Sequence, residues 1–106
     1  MSIVIVMGYM RVREGDVDRL RSAIAALTLA ARTQDGCEHY SLSQDVTDPS
    51  VLRVSERWRD RAAQAMHMVG DHMVTFNLDM RRGKIVEADI NVYDSDGGMK
   101  KLIYVG

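Results

Sequence analysis

Two strand patterns stand back to back in the middle of this 106-residue chain, each with a helix pattern beside it. Cys37 to Asp45 alternates, with Glu38, Tyr40, Leu42 and Gln44 on one face and Cys37, His39, Ser41 and Ser43 on the other. Thr47-Asp48-Pro49-Ser50 is turn chemistry. Val51 to Trp58 then puts Leu52, Val54, Glu56 and Trp58 on one face, and Arg53, Ser55 and Arg57 on the other. A hairpin held between two helices points to an α+β layout.

The flanks complete the order. Ile3 to Val12 is apolar on both faces and β-branched at its start, as a covered strand is. Gly15-Asp16 supplies a turn and a candidate N-cap. Val17, Leu20, Ile24, Leu27 and Ala31 form the stripe of an amphipathic helix that Asp35-Gly36 ends. Past Asp60, Ala62, Met66, Val69, Met73, Phe76 and Met80 keep a helical stripe across Gly70-Asp71, which predicts a kink with Asp71 as a new N-cap. Arg82-Gly83 closes it, Val86, Ala88, Ile90 and Val92 alternate as a fourth strand, and Ser95-Asp96-Gly97-Gly98 turns into a last strand, Lys101 to Val105. The order β-α-β-β-α-β plus one extra C-terminal strand is the ferredoxin-like split βαβ arrangement, an antiparallel sheet with both helices on one face. Strands one, four and five read as apolar on both sides, so sheet-to-sheet homodimerisation is expected to cover the other face.

Composition narrows the class. The chain is long enough for one core, and no linker or repeat divides it, so residues 1–106 read as a single domain. A net charge of -1 without a basic block excludes an electrostatic nucleic-acid footprint. No apolar stretch reaches about 18 residues, so no membrane span is expected. The first residues alternate without a basic leader and read as a strand rather than a signal peptide. The lone Cys37 lacks both a disulfide partner and the spacing of a zinc site, which suits a reducing cytoplasm and predicts no metal.

The run from Gly36 to Phe76 resembles the antibiotic biosynthesis monooxygenase family of the dimeric α+β barrel superfamily. The resemblance is carried by Gly36, Cys37, Tyr40 and Leu42, then Asp48-Pro49, then Leu52, Val54, Glu56 and Trp58. His67 follows nine residues after the tryptophan, His72 five further on, and Phe76 after it. The resemblance implies a homodimer whose sheets pack face to face, with a pocket between sheet and helices in each subunit. It also implies oxidation of hydroquinones or polycyclic phenols to quinones by O2 with no metal, flavin or haem cofactor. An electron-rich phenolate can itself pass an electron to oxygen, so the protein need only bind the ring, favour its deprotonation and stabilise the anion. Glu38 and Gln64 stand where leucines are usual, so either the pocket is more polar than average or these positions lie at its open edge. The haem-degrading branch needs an asparagine in the first strand and a histidine late in the second helix; Gly8 and Asn77 stand there, which argues against haem chemistry.

Within this frame His67, His72 and Tyr40 are the candidate catalytic groups, and Trp58, Glu38, Met73 and Phe76 the candidate substrate-binding groups. The two histidines lie about 140° apart around one helix, so they cannot share a line and make a poor metal pair. Either one of them serves a phenolic substrate as base or hydrogen-bond donor, or they are helix-surface or partner-contacting histidines. Tyr40 is either a ligand hydrogen-bonder or a core residue, and Trp58 either a stacking wall or a packing anchor. Glu56 is expected in a salt bridge with one of Arg53, Arg57, Arg59 or Arg61, although a carboxylate facing an apolar pocket would have a raised pKa. Met66, Met73 and Met80 with Phe76 form a soft apolar wall, core by default.

Two functions remain in view. The preferred one is a cofactor-independent monooxygenase acting on a phenolic, hydroquinone or polyketide-like aromatic. The alternative is a non-catalytic small-ligand-binding or stress-associated dimeric module on the same fold, because fold does not fix function. An isomerase or decarboxylase-like role needs only a single base.

Overall fold

A computed structural model describes residues 2–80, 85–100 and 102. Its elements run β1 (Ile3–Val12), α1 (Asp16–Arg32), β2 (Cys37–Gln44), β3 (Val51–Trp58), α2 (Arg61–Met68), α3 (Asp71–Met80) and β4 (Ile85–Ser95). The four strands form one antiparallel sheet in the order β2-β3-β1-β4. This is the ferredoxin-like layout that the alternation pattern predicts. The expected last strand over 101–105 lies, Leu102 apart, outside the described residues.

Period two decides the inner face. Val4, Val6, Met10 and Val12 of β1 are buried, as are Leu52, Val54, Glu56 and Trp58 of β3. Gly8 interrupts the β1 series for a steric reason: a Cβ there would sit 1.9 Å from the Asp89 carbonyl oxygen of β4. The outer face differs from the expectation for the fourth strand. Glu87, Asp89 and Asn91 of β4 face outward beside Arg11, Tyr9 and Met7, so this stretch is polar outward, while Tyr93, beside Ile5, adds an aromatic ring to the same face. Arg11 pairs with Asp48 and Glu87, and the Arg53 guanidinium lies 5.3 Å from the Tyr9 ring centre.

The helices start differently from their sequence signals. Gly15, with φ 84°, occupies the N-cap of α1, and Asp16 is the first helical residue. Asp16 is buried and bonded to Arg13 and Arg19 instead of capping. Val17, Leu20, Leu27 and Ala31 form the buried stripe, with Ile24 half-buried. Asp60 caps α2 by accepting a hydrogen bond from the Ala63 amide at 2.9 Å.

The expected kink at Gly70-Asp71 is a full break between two helices. The Gly70 carbonyl accepts from the amides of Met73 and Val74, so Gly70 opens α3 and Asp71 follows it. The stripe holds in α3, where Phe76 and Met80 are buried, but not in α2. There Ala63, Gln64 and His67 face inward, while Met66 and Val69 are about two-thirds exposed, at 67% and 70%. The entry to α2 explains the rotation. The Arg59 amide donates to the Gly36 carbonyl at 2.7 Å, and Gly36 leaves room against which only the small Ala63 fits.

Candidate active site

A cavity of about 270 Å³ lies between the inner face of the sheet and the α2–α3 pair. Val6 and Met10 of β1 and Leu42 and Val54 of the hairpin give it an apolar floor, while Met68, Met73 and Phe76 form the helical wall. Ile90 and Val92 of β4 line its outer side and remain partly exposed. Four polar side chains also face it: Tyr40, Glu56, Gln64 and His67.

His67 sits at the centre of a ring cluster. Its imidazole lies 4.8 Å from the Trp58 ring centre and 5.1 Å, edge-on, from that of Tyr40. Its Nδ1 is 2.6 Å from the Gln34 side-chain oxygen, which can only accept. Nδ1 therefore carries the proton, and Nε2 is left as an acceptor. Burial pulls the His67 pKa down from 6.5 to about 4, with the charge of His72 adding to the shift. At neutral pH the ring is an uncharged base.

Tyr40 is buried, and among the described residues its hydroxyl has no hydrogen-bond partner. Burial, then the nearby Glu56 carboxylate, raises its pKa, so it stays a phenol and donates.

Glu56 overturns the salt-bridge expectation. Arg53 pairs with Asp45, Arg57 with Glu38, Arg59 with Asp35 and Asp60, and Arg61 with Asp94. Arg53 and Arg57 stand on the outer face, Arg59 follows β3, and Arg61 opens α2. Glu56 is 8% exposed on the inner face and instead accepts a hydrogen bond from Trp58 Nε1 at 2.9 Å. Its pKa is raised by burial and lowered in part by that hydrogen bond.

The remaining sequence candidates divide. Met73 and Phe76 line the cavity as expected. Trp58 is fully buried behind His67 and is not among the lining residues, so it packs rather than stacks on a ligand. Glu38 is excluded from the cavity by a β-bulge. Cys37 pairs with Trp58 while His39 pairs with Arg57, so two residues of β2 pass one of β3 and the alternation slips at Glu38. Its carboxylate meets Arg57 at 3.1 Å on the outer face. Gln64, by contrast, is buried in the cavity wall, so the more polar pocket is the alternative that holds there.

His72 also parts from His67, because the break at Gly70 sets them on different helices. It lines a separate groove of about 330 Å³ between α1 and α3, with Ala23, Ala26, Ala30, Thr75 and Asp79. Gln34, which fixes the His67 tautomer, carries no sequence signal: it sits in the short link after α1, and only folding brings it to α2. Among the described residues no cluster of three or more His, Cys, Asp or Glu could hold a metal ion, and no helix is long and apolar enough to cross a membrane.

Fold and cavity together define a ferredoxin-like α+β domain with a ligand-sized pocket between sheet and helices. Residues 3–77 match the family model described as antibiotic biosynthesis monooxygenase, and the chain belongs to that family. Among solved structures it is similar to a Deinococcus radiodurans protein assigned as an antibiotic biosynthesis monooxygenase, at 20% identity and a TM-score of 0.81, over 97% of this chain and 99% of that one. The Mycobacterium tuberculosis protein Rv0793 matches at 21% identity and 0.78, over 95% and 99%. A Nitrosomonas europaea protein, also assigned as an antibiotic biosynthesis monooxygenase, matches at 16% and 0.80, over 90% and 91%. At these identities the likeness is one of fold. No curated protein sequence matches the chain.

Proposed function

We propose that this chain is a cofactor-independent monooxygenase that oxidises a phenolic, hydroquinone or polyketide-like aromatic to a quinone with O2. The observation that carries this reading is the meeting of a neutral, tautomer-fixed His67 and an unpartnered Tyr40 hydroxyl in a cavity whose other walls are largely apolar, Glu56 and Gln64 apart. His67 Nε2 accepts the ring hydroxyl's proton, and Tyr40 donates to the oxygen on which charge develops. The electron-rich ring then passes electrons to O2. A hydroquinone leaves as quinone with O2 reduced to hydrogen peroxide; a ring methylene of the anthrone type takes one oxygen atom, and the other leaves as water.

The working unit in this proposal is a cytoplasmic homodimer. A second copy would cover the outer sheet face, where Met7 and Tyr93 are about half exposed, at 55% and 46%. Purified, metal-free protein incubated with menadiol and with anthrone under O2 tests the reaction. Quinone should form well above the uncatalysed rate with at least one; formation at the background rate with both sinks the enzyme reading. Substrates that raise the melting temperature yet stay unchanged would favour the alternative, a non-catalytic ligand-binding module.

A further inference from the structure

Glu56 is an anomaly in its own strand. Every arginine near it in sequence is engaged with another carboxylate, and no cation reaches it among the described residues. A carboxylate placed in an apolar interior without a cation is costly. Packing does not demand one here, since accepting a bond from Trp58 Nε1 needs only a neutral oxygen.

The two carboxylate oxygens differ in their surroundings. Oε1 is taken by Trp58 Nε1. Oε2 has no partner among the described residues, and Tyr40, the cross-strand neighbour of Glu56, does not bond to it. No buried polar side-chain atom of the described residues lacks a partner, so an oxygen without one reaches open space. Glu56 as a whole is nearly buried and lines the cavity, so that open space is the cavity itself.

We propose that Glu56 is a substrate-binding and proton-accepting residue of this cavity, its free Oε2 taking the hydrogen bond and then the proton of a ring hydroxyl. The assignment rests on the reading of the cavity as a site for a hydroxylated aromatic ring. The proton passes from the hydroxyl oxygen to Oε2, and the electron pair of the O–H bond stays on the ring oxygen. Burial raises the pKa of Glu56 toward that of a useful base. With His67 Nε2 on the helical wall and Glu56 Oε2 on the sheet wall, the cavity offers acceptors on two sides. It therefore suits an uncharged ring that donates from its edge and disfavours a ring bearing a carboxylate.

The chain has one tryptophan, so its indole N–H gives a single NMR signal that reports directly on the Glu56 contact. ¹⁵N-labelled protein is titrated with 1-naphthol and with 1-methoxynaphthalene, which has a comparable fused ring but no donor. Wild type should bind the naphthol about tenfold more tightly and shift the indole signal as it does. In Glu56→Gln, Trp58 claims the amide oxygen and the NH2 faces the cavity, so the preference should fall severalfold, with His67 Nε2 the remaining acceptor. Menadiol turnover in that variant should fall about 100-fold.

Equal wild-type affinity for the two probes overturns the proposal, whether or not the variant folds. An undiminished preference in folded Glu56→Gln also overturns it. A wild-type preference with no oxidation of menadiol or anthrone overturns the monooxygenase reading and the proton-accepting role, and leaves Glu56 as a binding residue.

Discussion

The inner face of the sheet is closed over β2 and β3 and open over β4. Tyr40, Leu52 and Trp58 are between 0% and 3% exposed, whereas Ile90 and Val92 are 39% and 40% exposed. The cover explains the difference. The 17 residues of α1 lay a continuous apolar stripe against the β2 side. The α2–α3 pair is broken at Gly70, and Met66 of α2 and Val69 just past its end face solvent. A rigid side holds the rings of Tyr40, Trp58 and His67 in fixed geometry, and a looser side leaves one wall of the cavity accessible. Precise placement and access are thus separated within one small core.

The sharpest way to break this contrast is to empty the closed side. Trp58→Ala should cost roughly 3–5 kcal/mol, read by denaturant melts, because a fully buried indole leaves a cavity and takes a hydrogen bond with it. A loss under 1 kcal/mol would show that the ring cluster is not what stiffens that half.

Next in size is the contrast between the two histidines. His67→Ala should lower quinone formation about 100-fold with the fold retained by circular dichroism, while His72→Ala should stay within about twofold. The reverse order would move the chemistry to the α1–α3 groove.

The closed side should also show itself in acid. Folded His67 protonates at about 4, and its unfolded counterpart near 6.5. Between those values the unfolded chain binds more protons, so the His67 contribution is fully present above about 6.5 and is lost as pH falls toward 4. Glu56 works with the opposite sign, since its folded pKa is raised. Melts of wild type and His67→Gln across pH 4–7 isolate the histidine. The variant should lose less stability on acidification, and parallel curves would contradict the burial of an uncharged ring.

The open side should respond least. Ile90→Ala is expected to cost about 1 kcal/mol or less in a thermal melt, well below the Trp58 value. A cost matching Trp58→Ala would mean that β4 is covered after all, as a second copy of the chain would cover it.

Strand alternation and the turn residues between elements determined the order of elements and the inner residues of β3 from sequence, because period two leaves little freedom once one face is buried; which face of β1 turns inward was left to the fold. The α1 stripe was legible for the same reason at period 3.6. Alternation failed at Glu38, since a bulge is one unpaired residue and leaves no mark in hydrophobicity. The stripe failed in α2, where contact between Gly36 and Ala63, 27 positions apart, turns the helix.

The site was legible in part. Tyr40, His67 and Phe76 follow from the family spacing and Met73 from the helical stripe, and all four line the cavity. Gln34 beside His67, the separation of His72, and the solitary Glu56 were decided only by tertiary structure. Sequence neighbours suggested an arginine for Glu56, but strand geometry sends Arg53 and Arg57 to the opposite face. What the chain's order determined by itself was the succession of elements and the inward residues of β3 and α1. Which inward groups meet, and which stay free to meet a ligand, depends on contacts between distant segments.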